Sequence, residues 1–202
     1  RSFLGDYILN SSVKDNTHTK SWLYEGRISK GLDFIHGMFT LRLNYMNFDG
    51  AILQDDLLSS YNSSNWDLNF KINTRPTTWL SFIYEINYGK DHVKFKDVDQ
   101  SSYSTYLLQR LTSHLNIQKQ WFLNISGEHY SNQIADNKTK QLFLADISTA
   151  YSFRSGIELS LQVRNLFNQK TYGYSVYSGL MRMSKEYQLR QRNIWASVFF
   201  HF

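Results

Sequence analysis

From Ile194 to the C-terminus one parity of the chain reads Ile194, Ala196, Val198, Phe200, Phe202, all apolar, and the other interposes Trp195, Ser197, Phe199 and His201. A period of two is the period of a strand with one apolar face. The same period recurs upstream. Trp22, Tyr24 and Ile28 oppose Ser21, Glu25 and Arg27; Phe39, Leu41, Leu43 and Tyr45 oppose Thr40, Arg42 and Asn44; Trp66, Leu68, Phe70 and Ile72 oppose Asp67, Asn69, Lys71 and Asn73. Leu80 to Tyr88, Trp121 to Ile125, Phe143 to Tyr151 and Ile157 to Val163 repeat it. In the segment 101–115, Leu107 and Leu108 compete for the apolar face, and Arg110, Thr112 and His114 are placed on the polar one.

These patterns predict about ten strands: Phe3–Asn10, Thr17–Lys30, Met38–Phe48, Ser64–Thr74, Trp79–Gly89, Ser101–Leu115, Trp121–His129, Lys140–Tyr151, Ile157–Asn165 and Gln188–Phe202. The connections at 31–37, 75–78, 116–120 and 153–156 are short, the first around Gly31 and Gly37, the second holding the single proline, Pro76. Those at 11–16, 49–62, 90–100, 131–139 and 167–186 are generally longer and more polar. Regular alternation of short and long connections fits an up-and-down meander better than a sandwich with crossovers. Strands of about 9 to 14 residues match what a tilted strand needs to cross a bilayer, whereas globular strands average nearer five or six. Tyr24, Tyr45, Trp66, Trp79, Tyr84, Tyr88, Trp121 and Tyr151 sit mostly toward strand ends, as an interfacial girdle requires. The predicted fold class is all-β, an antiparallel up-and-down transmembrane β-barrel.

Composition sharpens this reading. Of 202 residues, 42% are hydrophobic and 16% aromatic, with 14 Tyr, 14 Phe and 5 Trp against one Pro, a β-rich balance. A mean hydropathy of -0.46 does not argue against a barrel, because alternation averages a lipid-facing side against a polar one. The net charge of +5 is spread along the chain among acids and amides, so no nucleic-acid partner is expected. Cysteine is absent, which removes disulfides, thiol nucleophiles and zinc–thiolate sites.

The run Val163-Arg164-Asn165-Leu166-Phe167-Asn168, an aromatic-rich loop, Tyr187-Gln188-Leu189-Arg190-Gln191-Arg192 and a final strand ending Phe200-His201-Phe202 together resemble the C-terminus of TonB-dependent outer-membrane receptors, in the outer-membrane β-barrel branch related to SusC-like transporters. The direct likeness covers about the last forty residues. It implies a bacterial outer-membrane location and a barrel of about 22 strands, to which this chain would supply the C-terminal ten. It also implies active uptake of a large or scarce nutrient, without an enzyme's chemistry or a cofactor. The implied partners are the lipid bilayer, the N-terminal part of the same barrel with its plug, TonB acting through the plug, and a surface lipoprotein. The chain reads as beginning inside a strand, without a leader, which favours part of a larger barrel. The alternative is a complete ten-stranded barrel acting as a rim-active protease or adhesin. A ladder between Phe3–Asn10 and Gln188–Phe202 would mark closure at ten.

Three sets of residues are candidates for function. Ile194, Val198, Phe200 and Phe202 resemble the C-terminal signal read by the barrel-assembly machinery. Arg42, Lys71, Glu85, Arg110, Glu128, Glu158 and Arg164 share the polar parity and are candidate lumen or plug contacts, with cross-strand pairing that merely stabilises the wall as the plainer alternative. Tyr172, Tyr174 and Tyr177 are candidate loop contacts to a ligand. The adjacent pairs Asp91–His92 and Glu128–His129 suggest acid–base chemistry, but neighbours in a strand face opposite sides. Asp55, Asp56, Asp97 and Asp99 have spacings that could bind calcium in loops.

Overall fold

The two-residue alternation is realised as one large antiparallel sheet with no second layer against its apolar side. The structure is a computed structural model that describes residues 2–4, 7–9, 19–54, 57–97, 101–118, 120–135, 138–178 and 181–200. In chain order the strands are β1 (Ser2–Leu4), β2 (Tyr7–Leu9), β3 (Lys20–Leu32), β4 (Gly37–Gln54), β5 (Leu57–Thr77), β6 (Leu80–Phe95), β7 (Ser101–Ile117), β8 (Trp121–Ala135), β9 (Lys138–Ser152), β10 (Ile157–Arg164), β11 (Thr171–Ser178), β12 (Met181–Gln188) and β13 (Asn193–Phe200), with one 3-10 turn at Asp33–Ile35. Nine of them form a sheet in the order β13-β10-β9-β8-β7-β6-β5-β4-β3, while β1–β2 and β11–β12 are separate hairpins.

Register keeps each parity on one face across the whole sheet. Leu41 pairs with Phe70, and Phe70 with Ile86; Arg42 pairs with Asn69, and Asn69 with Asn87. Among the described residues the buried apolar side chains are Val93 and Leu142, whereas Trp22, Ile28, Leu43, Trp66, Leu161, Ile194 and Val198 are exposed. A water-soluble chain of this size would bury such groups, at about 1.5–3 kcal/mol each. Here the covering layer is the hydrocarbon of a bilayer. On β5 the outward apolar run is Trp66–Ile72 and on β6 Leu80–Tyr88, or about 20–27 Å of strand, comparable with the roughly 25 Å apolar band of an outer-membrane barrel. Among the described residues no helix is long and apolar enough to cross a membrane.

Aromatic rings mark both borders of that band. At one end Tyr24 stacks on Tyr45 at 6.1 Å, and Tyr45 meets Trp66 at 4.3 Å. At the other Trp121 meets Tyr151 edge-on at 5.3 Å, and Tyr151 meets Phe153 at 4.6 Å. This second end carries the short turns.

The structure corrects several sequence expectations. The predicted long connections 49–62, 90–100 and 131–139 are mostly strand: β4 has 18 residues and β5 has 21, and their ladder runs to Gln54↔Leu57. Apolar alternation stops at the girdle, because beyond it both faces meet water, but backbone pairing continues. Asn47 and Asn62 exchange side-chain hydrogen bonds of 3.2 and 3.1 Å, Asn62 also donates to Asp49 at 3.1 Å, and Lys96 Nζ lies 2.8 Å from Asp49. That ion pair, followed by the Asn62 hydrogen bond, holds the half-buried Asp49 carboxyl below its ordinary value.

The expected reversal at 75–78 is shifted. β5 continues to Thr77 across a register break between Thr74 and Thr77, which accommodates Pro76, a residue with no N–H to give a ladder. The predicted loop 167–186 contains the β11–β12 hairpin, in which Tyr172 pairs with Tyr187 and Tyr174 with Lys185. The expected first strand, Phe3–Asn10, is instead the β1–β2 hairpin, pairing Phe3 with Ile8; Asn10 and the loop 11–16 lie outside the described residues. Among those residues β13 pairs with β10, and β3 with β4, each on one side only.

Candidate functional site on the polar face

The polar face has three zones. Along β3–β7 run cross-strand pairs: Arg42 lies 3.9 Å from Glu25, Lys71 4.0 Å from Glu85, and Asn69 donates to both Glu85, at 3.4 Å, and Asn87. Arg42, Asn69, Lys71, Glu85 and Asn87, together with Arg27, Asn44 and Tyr106, line a cavity of about 640 Å³. The Asn44 Oδ1 atom is buried there with no hydrogen-bond partner.

A second cavity, of about 500 Å³, lies between β7–β10 and the segment entering β13, lined by Arg110, Glu128, Asp146, Arg164, Asn165 and Arg190 among others. Arg110 offers Nε and Nη2 to one Glu128 oxygen, both at 3.2 Å. Among the described residues Arg164 and Arg190 form no ion pair. Asn165 builds this corner. Its φ of 52° is left-handed, a conformation asparagine tolerates better than most residues. Its backbone N–H donates to Asp146 at 2.8 Å, its side-chain oxygen accepts from the Gln169 N–H at 2.9 Å, and its amide nitrogen donates to the carbonyls of Gln169 and Arg190 at 2.8 and 2.9 Å. Asn168 repeats the device, with φ 52° and its side chain accepting from the Arg192 N–H at 2.9 Å. The Asn-Leu-Phe-Asn element is thus a two-point knot fixing where the chain re-enters the sheet after the hairpin.

The third zone lies toward the ribbon end, where β11–β12 folds across the polar face. Tyr172 meets Tyr130 of β8 edge-on at 5.2 Å, Tyr174 lies 5.7 Å from Tyr172, and Tyr187 stacks on Tyr174 at 6.0 Å. Lys140 of β9 pins the hairpin through Glu186 at 3.2 Å. Burial, then the hydrogen bond with Tyr130, raises the Tyr172 phenol above its ordinary value. Beneath the hairpin is a cavity of about 320 Å³.

The predicted site residues fall as follows. Arg42, Lys71, Glu85, Arg110, Glu128, Glu158 and Arg164 share the polar face, the first five in cross-strand pairs, and Glu158 accepts from the Ser152 hydroxyl at 2.9 Å. Tyr172 and Tyr174 lie against the wall as part of a hairpin, correcting their assignment to an irregular loop. The Tyr177 side chain lies outside the described residues. Ile194, Val198 and Phe200 lie exposed on the apolar face of β13, and Phe202 lies outside the described residues. Glu128 and His129 separate, the first to the polar face and the second to the apolar face, stacked on Phe143 at 4.2 Å. Asp91 accepts from Asn65 at 2.7 Å, and His92 takes the opposite parity. Asp97 accepts from the Ser60 N–H at 2.7 Å; Asp55, Asp56 and Asp99 lie outside the described residues. Among the described residues no group of three or more His, Asp or Glu could hold a metal ion.

The sequence reading missed Tyr106, Tyr130, Asp146 and Arg190. The first two carry a signal: they are aromatic rings at polar-parity positions, which a wall exposed only to water does not call for.

A comparison with family models matches residues 60–200, well over half the chain, to the outer membrane protein beta-barrel family. No curated protein and no solved structure matches. With one predominantly apolar face bordered by aromatic girdles and one face of amides, charges and cavities, the chain belongs to the outer membrane protein beta-barrel family and resides in the bacterial outer membrane.

Proposed function

We propose that this chain is the C-terminal part of the wall of a TonB-dependent, SusC-like outer-membrane transporter that takes up a large or scarce nutrient, and that it performs no catalysis of its own. The observation that carries the reading is the polar face. Paired charges, amides and three cavities run from the turn end to the ribbon end, as a wall facing a plug and a solute path requires. Arg164 and Arg190, without ion-pair partners among the described residues, supply charge for such contacts. The turn end would face the periplasm and the ribbon end the exterior.

Strand direction supports a larger barrel. β3 and β13 are the two edges of the sheet, and both run from the ribbon end to the turn end, so they cannot pair antiparallel with each other. An odd number of additional strands is needed between them for an antiparallel wall, and no edge can remain open in hydrocarbon. In this reading the earlier part of the same polypeptide supplies those strands and the plug, TonB acts through the plug, and a surface lipoprotein caps the outside.

Three measurements on the full-length protein test this. The periplasmic domain of TonB should bind it, and in planar bilayers it should show no standing open pore. Because this chain contains no cysteine, a cysteine pair on β3 and β13, at Gly26 and Ala196, reports closure cleanly. Direct disulfide formation there, absence of TonB binding, or a permanently open pore would each overturn the proposal.

A further inference from the structure

The cavity beneath the β11–β12 hairpin combines aromatic walls with a carboxylate and, among the described residues, no basic side chain. Its lining includes Asp91, Leu108, Tyr106, Tyr130, Tyr172 and Tyr174. Tyr130 and Tyr172 meet at an interplanar angle of 70° with ring centroids 5.2 Å apart, and Tyr174 extends the aromatic wall at 5.7 Å from Tyr172. The rings therefore stand as the sides of a corner and not as one flat stack. Tyr106 is anchored from behind, its hydroxyl donating to Asp67 at 2.8 Å, and Gly89 makes room for its ring, since a Cβ there would lie 2.1 Å from Tyr106 Cε1. The Asp91 carboxylate is bonded by the neutral amide of Asn65, and Asp67 by a neutral phenol, so neither acid meets a cation through these contacts. Lys140 is engaged by Glu186, and Lys185, opposite Tyr174 in the hairpin, is exposed and does not line the cavity.

We infer that this cavity is a binding site for an organic cation, a substituted ammonium group seated between the tyrosine rings and facing Asp91. The negative faces of aromatic rings attract a cation most strongly where water is partly excluded, and a carboxylate without a basic partner among the described residues completes the charge balance. A neutral sugar would find stacking surface here but would leave the carboxylate uncompensated. An anionic solute would be repelled. The site is distinct from the arginine-lined cavity beside Asn165, and it stands on the cavity alone, independent of TonB coupling.

The test uses the full-length protein in detergent, with choline as the probe, its uncharged tert-butyl isostere as the control and maltose as the neutral sugar, all read by saturation-transfer NMR. Choline is expected to bind at least about tenfold more tightly than the isostere, with maltose failing to displace it. Asp91→Asn and Tyr172→Ala should each weaken choline about tenfold, while Tyr172→Phe, which keeps the ring, should retain binding and serve as the folding control for that position. Equal affinity for the isostere would show an apolar pocket only. Displacement by maltose would show a sugar subsite, and no choline binding at tens of millimolar would remove the site altogether. Any of these three results overturns the inference.

Discussion

The side-chain amide of Asn165 donates to the backbone carbonyl of Arg190 across 2.9 Å, joining two points 25 residues apart in sequence. Replacing Asn165 with alanine removes three side-chain hydrogen bonds and places a Cβ-only residue at φ 52°. The expected loss is about 2–4 kcal/mol, read as a lower midpoint in denaturant or an earlier loss of heat-modifiable migration. Asn165→Asp keeps the acceptor for Gln169 but loses both donors, and should fall between.

Faces can be tested one residue apart. Phe70 lies on the apolar face, opposite Leu41, and Asn69 on the polar face, opposite Arg42. Phe70→Arg should cost about 2–4 kcal/mol in the bilayer, and Asn69→Arg, which loses its hydrogen bonds to Glu85 and Asn87 and faces Arg42, clearly less, about 1 kcal/mol. The yield of folded, heat-modifiable protein measures the difference. Equal yields would mean that the apolar face does not meet lipid.

Acid should loosen the hairpin of β4 and β5 beyond the girdle. Asp49 has a lowered pKa in the folded chain, caused first by Lys96. A depressed carboxylate contributes stability above its unfolded value of 3.8 and loses it as pH falls through the lower folded value. Amide exchange at this ribbon end should therefore speed up below about pH 3.8 in the wild type. In Asp49→Asn that pH step should be missing.

A methyl group at position 89 should reach the tyrosine cavity. Gly89→Ala places its Cβ 2.1 Å from the Tyr106 ring and 2.9 Å from Asp67 Oδ1, so the ring must shift and the bond to Asp67 break. The cost of such overpacking is about 1–3 kcal/mol. Tyrosine fluorescence compared with Tyr106→Phe would separate ring displacement from loss of the hydroxyl bond.

At the C-terminal strand, Phe200 faces outward opposite Ile157. If Ile194, Val198 and Phe200 serve as an assembly signal, Phe200→Glu should reduce the amount of protein reaching the outer membrane in cells more than it reduces folding of the purified chain into detergent. Equal losses would mean a stability role only.

What the sequence made legible follows from where the two faces differ in environment. Within the band, lipid on one side and polar surroundings on the other force alternation, so the common face of Leu41, Phe70 and Ile86 could be read directly, while their pairing could not. Above the girdle both faces are wet, and Asp49, Ser60 and Asn62 resemble a loop although their backbones remain paired. The β11–β12 hairpin was hidden for the same reason: Gly173 and Ser175 dilute a pattern whose cross-strand tyrosines are visible only once paired. The charged residues of the polar parity fall on one face because parity alone suffices to group them. The tyrosine cavity was not foreseen, since it joins Tyr106 and Tyr130 to Tyr172 through a fold-back that no local period encodes.

The continuation of β4, β5 and β6 past the aromatic girdle has an entropic meaning. Hydrogen-bonded ribbons standing in water have already lost most of the conformational freedom that a flexible loop would have to surrender on contact with a solute. A ligand arriving at this rim meets a fixed palisade, so less of its binding free energy is spent on ordering the protein, and recognition there depends more on fit than on folding around the guest.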